Sequence, residues 1–503
     1  MKKLVAGAAC AVLLAACGKT EAPPPAEPVV APAPKALQSG IEKANFDPAV
    51  RAADDLFRHT NGAWLAKYEI PADKSNYGAF SKLDDDAELQ VKSIIEESAA
   101  KANKVAGSDE QKVGDYYAAF MNEARADELG LKPIEPILAQ IDGIKDKSEL
   151  PALYAKLGKL GARTPFGGFI NQDAKDSTVY TVYFFQFGQL GLPDRDYYQN
   201  KDKKFVDIRA AYVAHIEKML AMSGDKNAAA NAKAVMAMET KIADKHWTRV
   251  DSRDDDKTYN KFEVAKLNAL TPGFDFAALV KESGVNLPSV IVMQPSAFTG
   301  FAAQLKAASL DTIKAYTKFA TLSSFAAVLS KPVVDESFAF YSTTLRGIPE
   351  NRPRWKRAVE GTEGALGEVL GKIYVARHFP PAAKARMEVL VKNLLQAYGD
   401  SIKALDWMSE ETKLKALEKL AKFNPKIGYP NKWKDYSALT VSSDDLFGNV
   451  LRSNEVENNR QLAKLGAPVD RDEWQMTPQT VNAYYNPGLN EIVFPAAILQ
   501  PPF

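Results

Sequence analysis

The sequence predicts a mainly α, multi-helical protein that turns to strand near its end. Three observations carry that reading. At 503 residues the chain exceeds one ordinary domain. Apolar residues recur at helical spacing from about residue 46 to 430. Beyond them, Asn490–Phe494 is a short β-like run closed by Pro495. Composition is that of a globular protein, with 46% hydrophobic and 25% charged residues. The 64 basic and 63 acidic residues leave a net charge of +1, so no field of one sign argues for nucleic acid or an anionic membrane. No nucleic-acid partner is expected.

The N-terminus reads as an address. Lys2 and Lys3 precede an apolar stretch, Leu4–Ala16, too short to span a bilayer. It ends in Leu14-Ala15-Ala16-Cys17-Gly18, which resembles a bacterial lipoprotein signal. That resemblance makes residues 1–17 the signal and Cys17 the acylated first residue of the mature chain. Gly18 after the cysteine favours the outer membrane, facing the periplasm. An ordinary secretory signal or a buried N-terminal helix are the alternatives. The only other cysteine, Cys10, leaves with the signal, so no disulfide is expected. Residues 18–45 read as a tether, because Glu21–Pro34 holds six prolines in fourteen positions and proline-rich chain stays extended.

The helical body is assigned to 46–430. Val113, Tyr116, Tyr117, Phe120 and Met121 follow the i, i+3, i+4, i+7, i+8 rule. Met387, Leu390, Val391, Leu394, Leu395, Tyr398, Ile402 and Leu405 do so over five turns. Ser409 reads as the N-cap of a further helix carrying Leu414, Leu417, Leu420 and Ala421, with Glu411–Lys415 and Glu418–Lys422 as i, i+4 pairs, before Pro425. All these stripes are expected to pack in the core. Ser177–Phe187, rich in β-branched and aromatic residues, is the strand-like exception.

Local chemistry names no activity. His59, His215, His246 and His378 stand far apart, and neither an HExxH nor a Cys/His cluster occurs. Asp84–Asp86 and Asp254–Asp256 lack the spacing of a calcium loop and read as solvated turns or helix starts. No GxSxG, phosphate-cradling loop or dinucleotide fingerprint stands out.

The closing stretch, "NAYYNPGLNEIVFPAAILQPPF" (482–503), resembles the segment that opens the catalytic domain of neprilysin-like zinc metallopeptidases. Five further blocks resemble the family in its own order: Thr60–Leu83, Gly191–Tyr198, Arg253–Asn260, Arg354-Trp355 and Leu405–Trp433. The resemblance covers roughly 46–503. It implies a helical N-terminal domain followed, from 431 to 503, by a connector and the first edge strand of a thermolysin-like α/β catalytic domain, here incomplete.

From the same resemblance comes a substrate role for Asn482, Ala483 and Tyr484. A peptide held as an added strand needs an open sheet edge. Asn482 would supply side-chain hydrogen bonds, Ala483 its backbone, and Tyr484 the shape of the edge. Phe80, Ile498 and Phe503 match the apolar pocket for the side chain just after the cleaved bond, which implies cleavage before large apolar residues. Where some members carry an arginine that reads a free carboxylate, this chain has Asn76, so carboxylate capture is not implied. In the family, zinc is bound by an HExxH helix further along, with its general-base glutamate. No zinc ligand and no catalytic residue is therefore expected in this chain, whose stop at Phe503 reads as a fragment. The expected function is zinc metalloendopeptidase action on oligopeptides. The competing reading is a catalytically inactive peptide-binding or scaffolding lipoprotein.

Overall fold

The structure, a computed structural model, describes residues 41–501. The signal reading of 1–17, Cys17, most of the tether and Phe503 lie outside the described residues. Two compact units divide the chain, one ending at Tyr68 and one beginning at Glu69. In the first, Asp55 caps the helix Leu56–Leu65 by accepting the Arg58 N–H at 2.9 Å. Asp47 packs against Gly62 of that helix, and His59 Nδ1 bonds Val50 O at 2.7 Å.

The second unit holds two apolar clusters. One gathers the helices Leu150–Lys159, Lys203–Met222, Ala228–Ala243 and Leu310–Phe325 around a four-stranded sheet. That sheet has β1 (Gly168–Asp173), β2 (Asp176–Phe184), β3 (Lys261–Glu263) and β4 (Ser289–Val292) in the order β1-β2-β4-β3. β1 and β2 form an antiparallel hairpin, and β2 runs parallel to β4. The expected strand over Ser177–Phe187 is β2. Its residues Tyr180–Phe184 are all buried, because both faces of the strand are covered.

At the centre of this cluster Glu239 is fully buried and accepts the hydroxyls of Tyr198 (2.7 Å) and Tyr212 (2.9 Å). Burial raises the pKa of its carboxyl, against the pull of the neighbouring Arg163. Gly191 admits this arrangement, since a Cβ there would lie 1.7 Å from the Tyr212 hydroxyl. The block Gly191–Tyr198 is thus a structural device of the core.

The other cluster joins the helices Ala79–Ala100, Asp109–Met121 and Arg354–His378. Ala496 and Ala497 belong to it as well. A second sheet, order β5-β7-β6, contains β5 (Asn424–Gly428), β6 (Tyr484–Asn486) and β7 (Glu491–Pro495). The expected strand is β7, and it is the central one: parallel to β5, antiparallel to β6.

All three expected core stripes need correction. Val113, Tyr116, Tyr117 and Phe120 are buried, but Met121, at the end of its helix, is exposed. The longer stripe forms the helix Pro381–Ala404, yet only Val391 and Gly399 are buried there. Leu394 is 51% exposed, Tyr398 62%, and Leu414 on the helix Glu410–Ala421 69%. The two helices pack on each other, with Leu420 3.5 Å from where a Cβ of Gly399 would stand, and much of their apolar surface faces outward. Ser409 caps as expected, accepting Thr412 N–H at 3.2 Å, and Glu418–Lys422 pairs at 2.8 Å. Among the described residues no helix is long and apolar enough to cross a membrane.

Candidate functional site

The hairpin β6–β7 is built on the turn Pro487–Asn490. Asn490 takes a left-handed φ of +48°, which asparagine tolerates better than most residues. The turn is fastened on three sides. Asn490 Nδ2 donates to Lys419 O (2.8 Å), closing the end of the Glu410–Ala421 helix. Asn424 N–H donates to Asn490 O (2.9 Å), and Arg471 donates to Leu489 O (2.6 Å). Across β5 and β7 a buried ion pair, Lys426–Glu491 at 2.8 Å, locks the register. β6 is one of the two outer strands of its sheet, with β5 at the other side, and an outer strand offers one row of backbone groups to an incoming chain.

Asn482 and Ala483 lead into that strand. Asn482 is exposed, and its Oδ1 accepts the Ala483 N–H at 2.8 Å. The side chain thereby covers a backbone donor that a peptide carbonyl could take over. Tyr484 is half-buried and opposite Val493. Its hydroxyl accepts the Gln475 N–H at 3.0 Å, and burial pushes its pKa up to about 12. Tyr484 therefore ties the outer strand to the loop before it.

Phe80 lies on the first turn of the Ala79–Ala100 helix and is 56% exposed; Ile498 is half-buried in the turn Ala496–Leu499. That helix packs on that turn. Asn76, at the position where a carboxylate-reading arginine was sought, is exposed and bonds Ser75 Oγ at 3.4 Å.

Sequence reasoning missed the seam behind the strand. The segment Thr477–Gln479 lies along the helix Arg354–His378. A Cβ on Gly367 would meet Thr477 Cγ2 at 2.7 Å, and one on Gly371 would meet Pro478 Cδ at 2.7 Å. Gln479 Nε2 donates to Gly367 O at 2.9 Å, and Ala497 N–H donates to Pro478 O at 2.9 Å. The helix departs from helical geometry at Leu366, immediately before Gly367. The signal was present: Gly364, Gly367 and Gly371 fall at i, i+3, i+7, a small-residue face that lets another backbone approach.

Among the cavities of this unit, two adjoin β1. The larger, about 860 Å³, lies between β1, the Leu150–Lys159 helix and the helix Leu446–Leu462. The smaller, about 270 Å³, reaches from Ile170–Gln172 to Gln475 and Glu491.

No group of three or more His, Cys, Asp or Glu able to hold a metal occurs among the described residues. The histidines have other uses. His215 Nδ1 faces Glu336 at 3.0 Å, and His246 Nε2 faces Gln189 at 2.8 Å. Burial lowers the pKa of both, His246 to about 4. His378 packs at 5.2 Å from the Tyr374 ring. The described side chains do not fit a zinc ion.

Comparison with known proteins places this geometry. A family model described as Peptidase family M13 matches residues 52–430. Endothelin-converting enzyme 1 of Rattus norvegicus is 28% identical over 480 residues, covering 91% of this chain and 62% of that protein. An endothelin-converting enzyme homolog of Locusta migratoria is 29% identical, covering 91% and 66%. The chain thus spans under two thirds of the length of these relatives. Among solved structures, the Mycobacterium tuberculosis zinc metalloprotease ZMP1 bound to an inhibitor superposes with a TM-score of 0.88 at 44% identity, over 93% of this chain and 71% of that one. PEPO from Lactobacillus rhamnosis superposes with a TM-score of 0.80 at 25% identity, over 90% and 72%.

Proposed function

The chain belongs to peptidase family M13, and from that premise we propose that it supplies the peptide-holding edge of a metalloendopeptidase that cuts short peptides. The observation carrying this is the fastened hairpin with β6 outermost and the Ala483 N–H covered by the Asn482 side chain. A bound peptide runs beside this segment as an added strand. Its carbonyl takes the Ala483 N–H, and the displaced Asn482 amide bonds the peptide backbone. Phe80, Ile498 and Phe503 form the pocket for the side chain after the cut bond, so large apolar residues are preferred there, each buried side chain contributing about 1.5–3 kcal/mol.

Zinc is the cofactor we assign to the whole protein, following the relative described as a zinc metalloprotease. The described residues hold no site for it. Cys17 is the proposed acylation site, and the protein is placed at the outer membrane facing the periplasm. The proposed organisation is signal 1–17, tether 18–45, helical domain 46–430, and connector with the start of a catalytic domain 431–503.

The test is fluorescence anisotropy with a labelled hexapeptide carrying a central leucine. Asn482→Ala is expected to weaken binding about tenfold, the loss of roughly 1.4 kcal/mol of hydrogen bonding. Replacing the central leucine by aspartate weakens it further. Equal affinity of wild type and variant overturns the edge assignment.

A further inference from the structure

We propose that β1 is a second peptide-pairing edge, which takes the distal part of a long, extended peptide whose reactive part lies on β6. The proposal rests on the reading of β6 given above, and extends it to a surface in the helical body.

The ladder of the β1–β2 hairpin fixes which backbone groups are free. Phe185 N–H donates to Gly167 O at 3.1 Å. In an antiparallel pair, bonded and non-bonded positions alternate, so 169·183 and 171·181 are the bonded pairs of the same register. The N–H and C=O groups of Gly168 and Ile170 then point away from β2. β1 is the end strand of its sheet, so among the described residues no further strand pairs with them. The row closes at Gln172, whose carbonyl accepts the Tyr183 hydroxyl at 2.8 Å. An open edge two residues long in pairing period accepts a strand of about four residues.

The same edge faces a space that fits a peptide. Gly168 and Ile170 line the larger cavity, whose opposite wall is the helix Leu446–Leu462. About 860 Å³ lies in the range of sites that enclose a ligand. The smaller cavity shares Ile170, Glu457 and Gln461 with it and extends to Gln475, whose N–H donates to the Tyr484 hydroxyl, and to Glu491 on β7. The free edge of β1 and the base of the β6–β7 hairpin thus border adjoining cavities that share one wall.

Charge selects the occupant. Lys464 on the smaller cavity is paired with Glu473 at 2.6 Å, and Glu457 on the shared wall with Arg460. Neutralised pairs beside open backbone groups suit an uncharged main chain of mixed sequence, which is the chemistry of an oligopeptide. They give no concentrated positive field for a polyanion.

The experiment uses the full chain and three labelled peptides sharing one leucine-centred core. One is a hexapeptide; the others are extended to roughly 18 residues, on the order of 60 Å when stretched, at one end or the other. One extended peptide is expected to bind at least about fivefold more tightly than the hexapeptide, as a second linked contact adds avidity. Ile170→Pro removes an outward-facing N–H, a position where an edge strand tolerates proline, and Asn458→Trp fills the larger cavity from the helical wall. Each is expected to abolish the gain while leaving the hexapeptide unaffected. N-methylation of alternate amides in the extension, which needs no change to the protein, is expected to do the same. A gain that survives both variants and N-methylation overturns the proposal, as does the absence of any gain. Asn482→Ala separates the two readings: it weakens all three peptides if β6 holds the core, and none if the β6 assignment is wrong.

Discussion

Gln479 has an oxygen that its surroundings do not satisfy. Its amide nitrogen is committed to Gly367 O, and its Oε1 is buried without a donor. The neighbour within reach is Glu363, whose carboxyl burial pushes up to about 7, against a weaker opposing pull from Gln479. Asp84 and Glu88 on the facing helix, and Glu360 on its own, push the same way. The nearby cations are engaged elsewhere: Arg352 with Glu88 and Glu360, Lys356 with Asp73. A protonated Glu363 can donate to Gln479 Oε1; an ionised one cannot. Because the folded-state pKa lies above the ordinary value of 4.5, the stability this group contributes is complete below about pH 4.5 and is lost as pH rises through about 7. Glu363→Gln keeps a donor at every pH. Thermal unfolding from pH 5 to 8.5 is expected to show the variant matching wild type at pH 5 and exceeding it by on the order of 2 kcal/mol at pH 8.5. Parallel curves would refute the proton-dependent contact.

Helices of similar apolar periodicity differ here in what covers them. In Asp109–Met121 the stripe meets the helices Ala79–Ala100 and Arg354–His378, and Phe120 is 3% exposed. In Pro381–Ala404 the stripe meets the Glu410–Ala421 helix and β5, which bury Gly399 and Val391, while Leu390, Leu394 and Tyr398 stay exposed. Phe120→Ala is expected to cost about 3–5 kcal/mol in urea unfolding, whereas Leu394→Ala is expected to stay within about 0.5 kcal/mol. A loss at Leu394 comparable to that at Phe120 would mean that its face is covered. The contrast also explains what was legible. Periodicity locates an apolar face, so both helices, β2 and β7 could be read from the chain. Cover depends on elements hundreds of residues apart, such as the 354–378 helix against Phe120, and no local pattern encodes it. β1, with the run Gly-Phe-Ile-Asn-Gln-Asp, lacks alternation and becomes a strand by pairing with β2. At the candidate site Asn482–Tyr484 stand out only through the resemblance, whereas the glycine face that seats 477–479 is written in the spacing of Gly364, Gly367 and Gly371.

In the second unit the strand segment is set into the helical core. Ala496 and Ala497 share a cluster with Ala87, Val91 and Leu370. Residues 477–479 lie so close to the 354–378 helix that two glycines are required. The position of Asn482, three residues beyond Gln479, therefore depends on helical packing as well as on its own hairpin. Comparing two glycines on one helix tests this. A Cβ at Gly364 meets nothing within 4 Å, so Gly364→Ala is expected to stabilise the chain by about 0.5–1 kcal/mol and leave hexapeptide affinity unchanged. Gly371→Ala gains the same helix propensity but drives its methyl into the Pro478 ring, and overpacking of that kind costs about 1–3 kcal/mol. The segment can relieve the clash only by moving, and it carries Asn482 with it. Hexapeptide affinity is then expected to fall several-fold with the far-ultraviolet circular dichroism of the folded chain unchanged. If Gly371→Ala lowers stability and leaves affinity intact, the edge strand is positioned by its own turn alone, and the helical body does no more than support it.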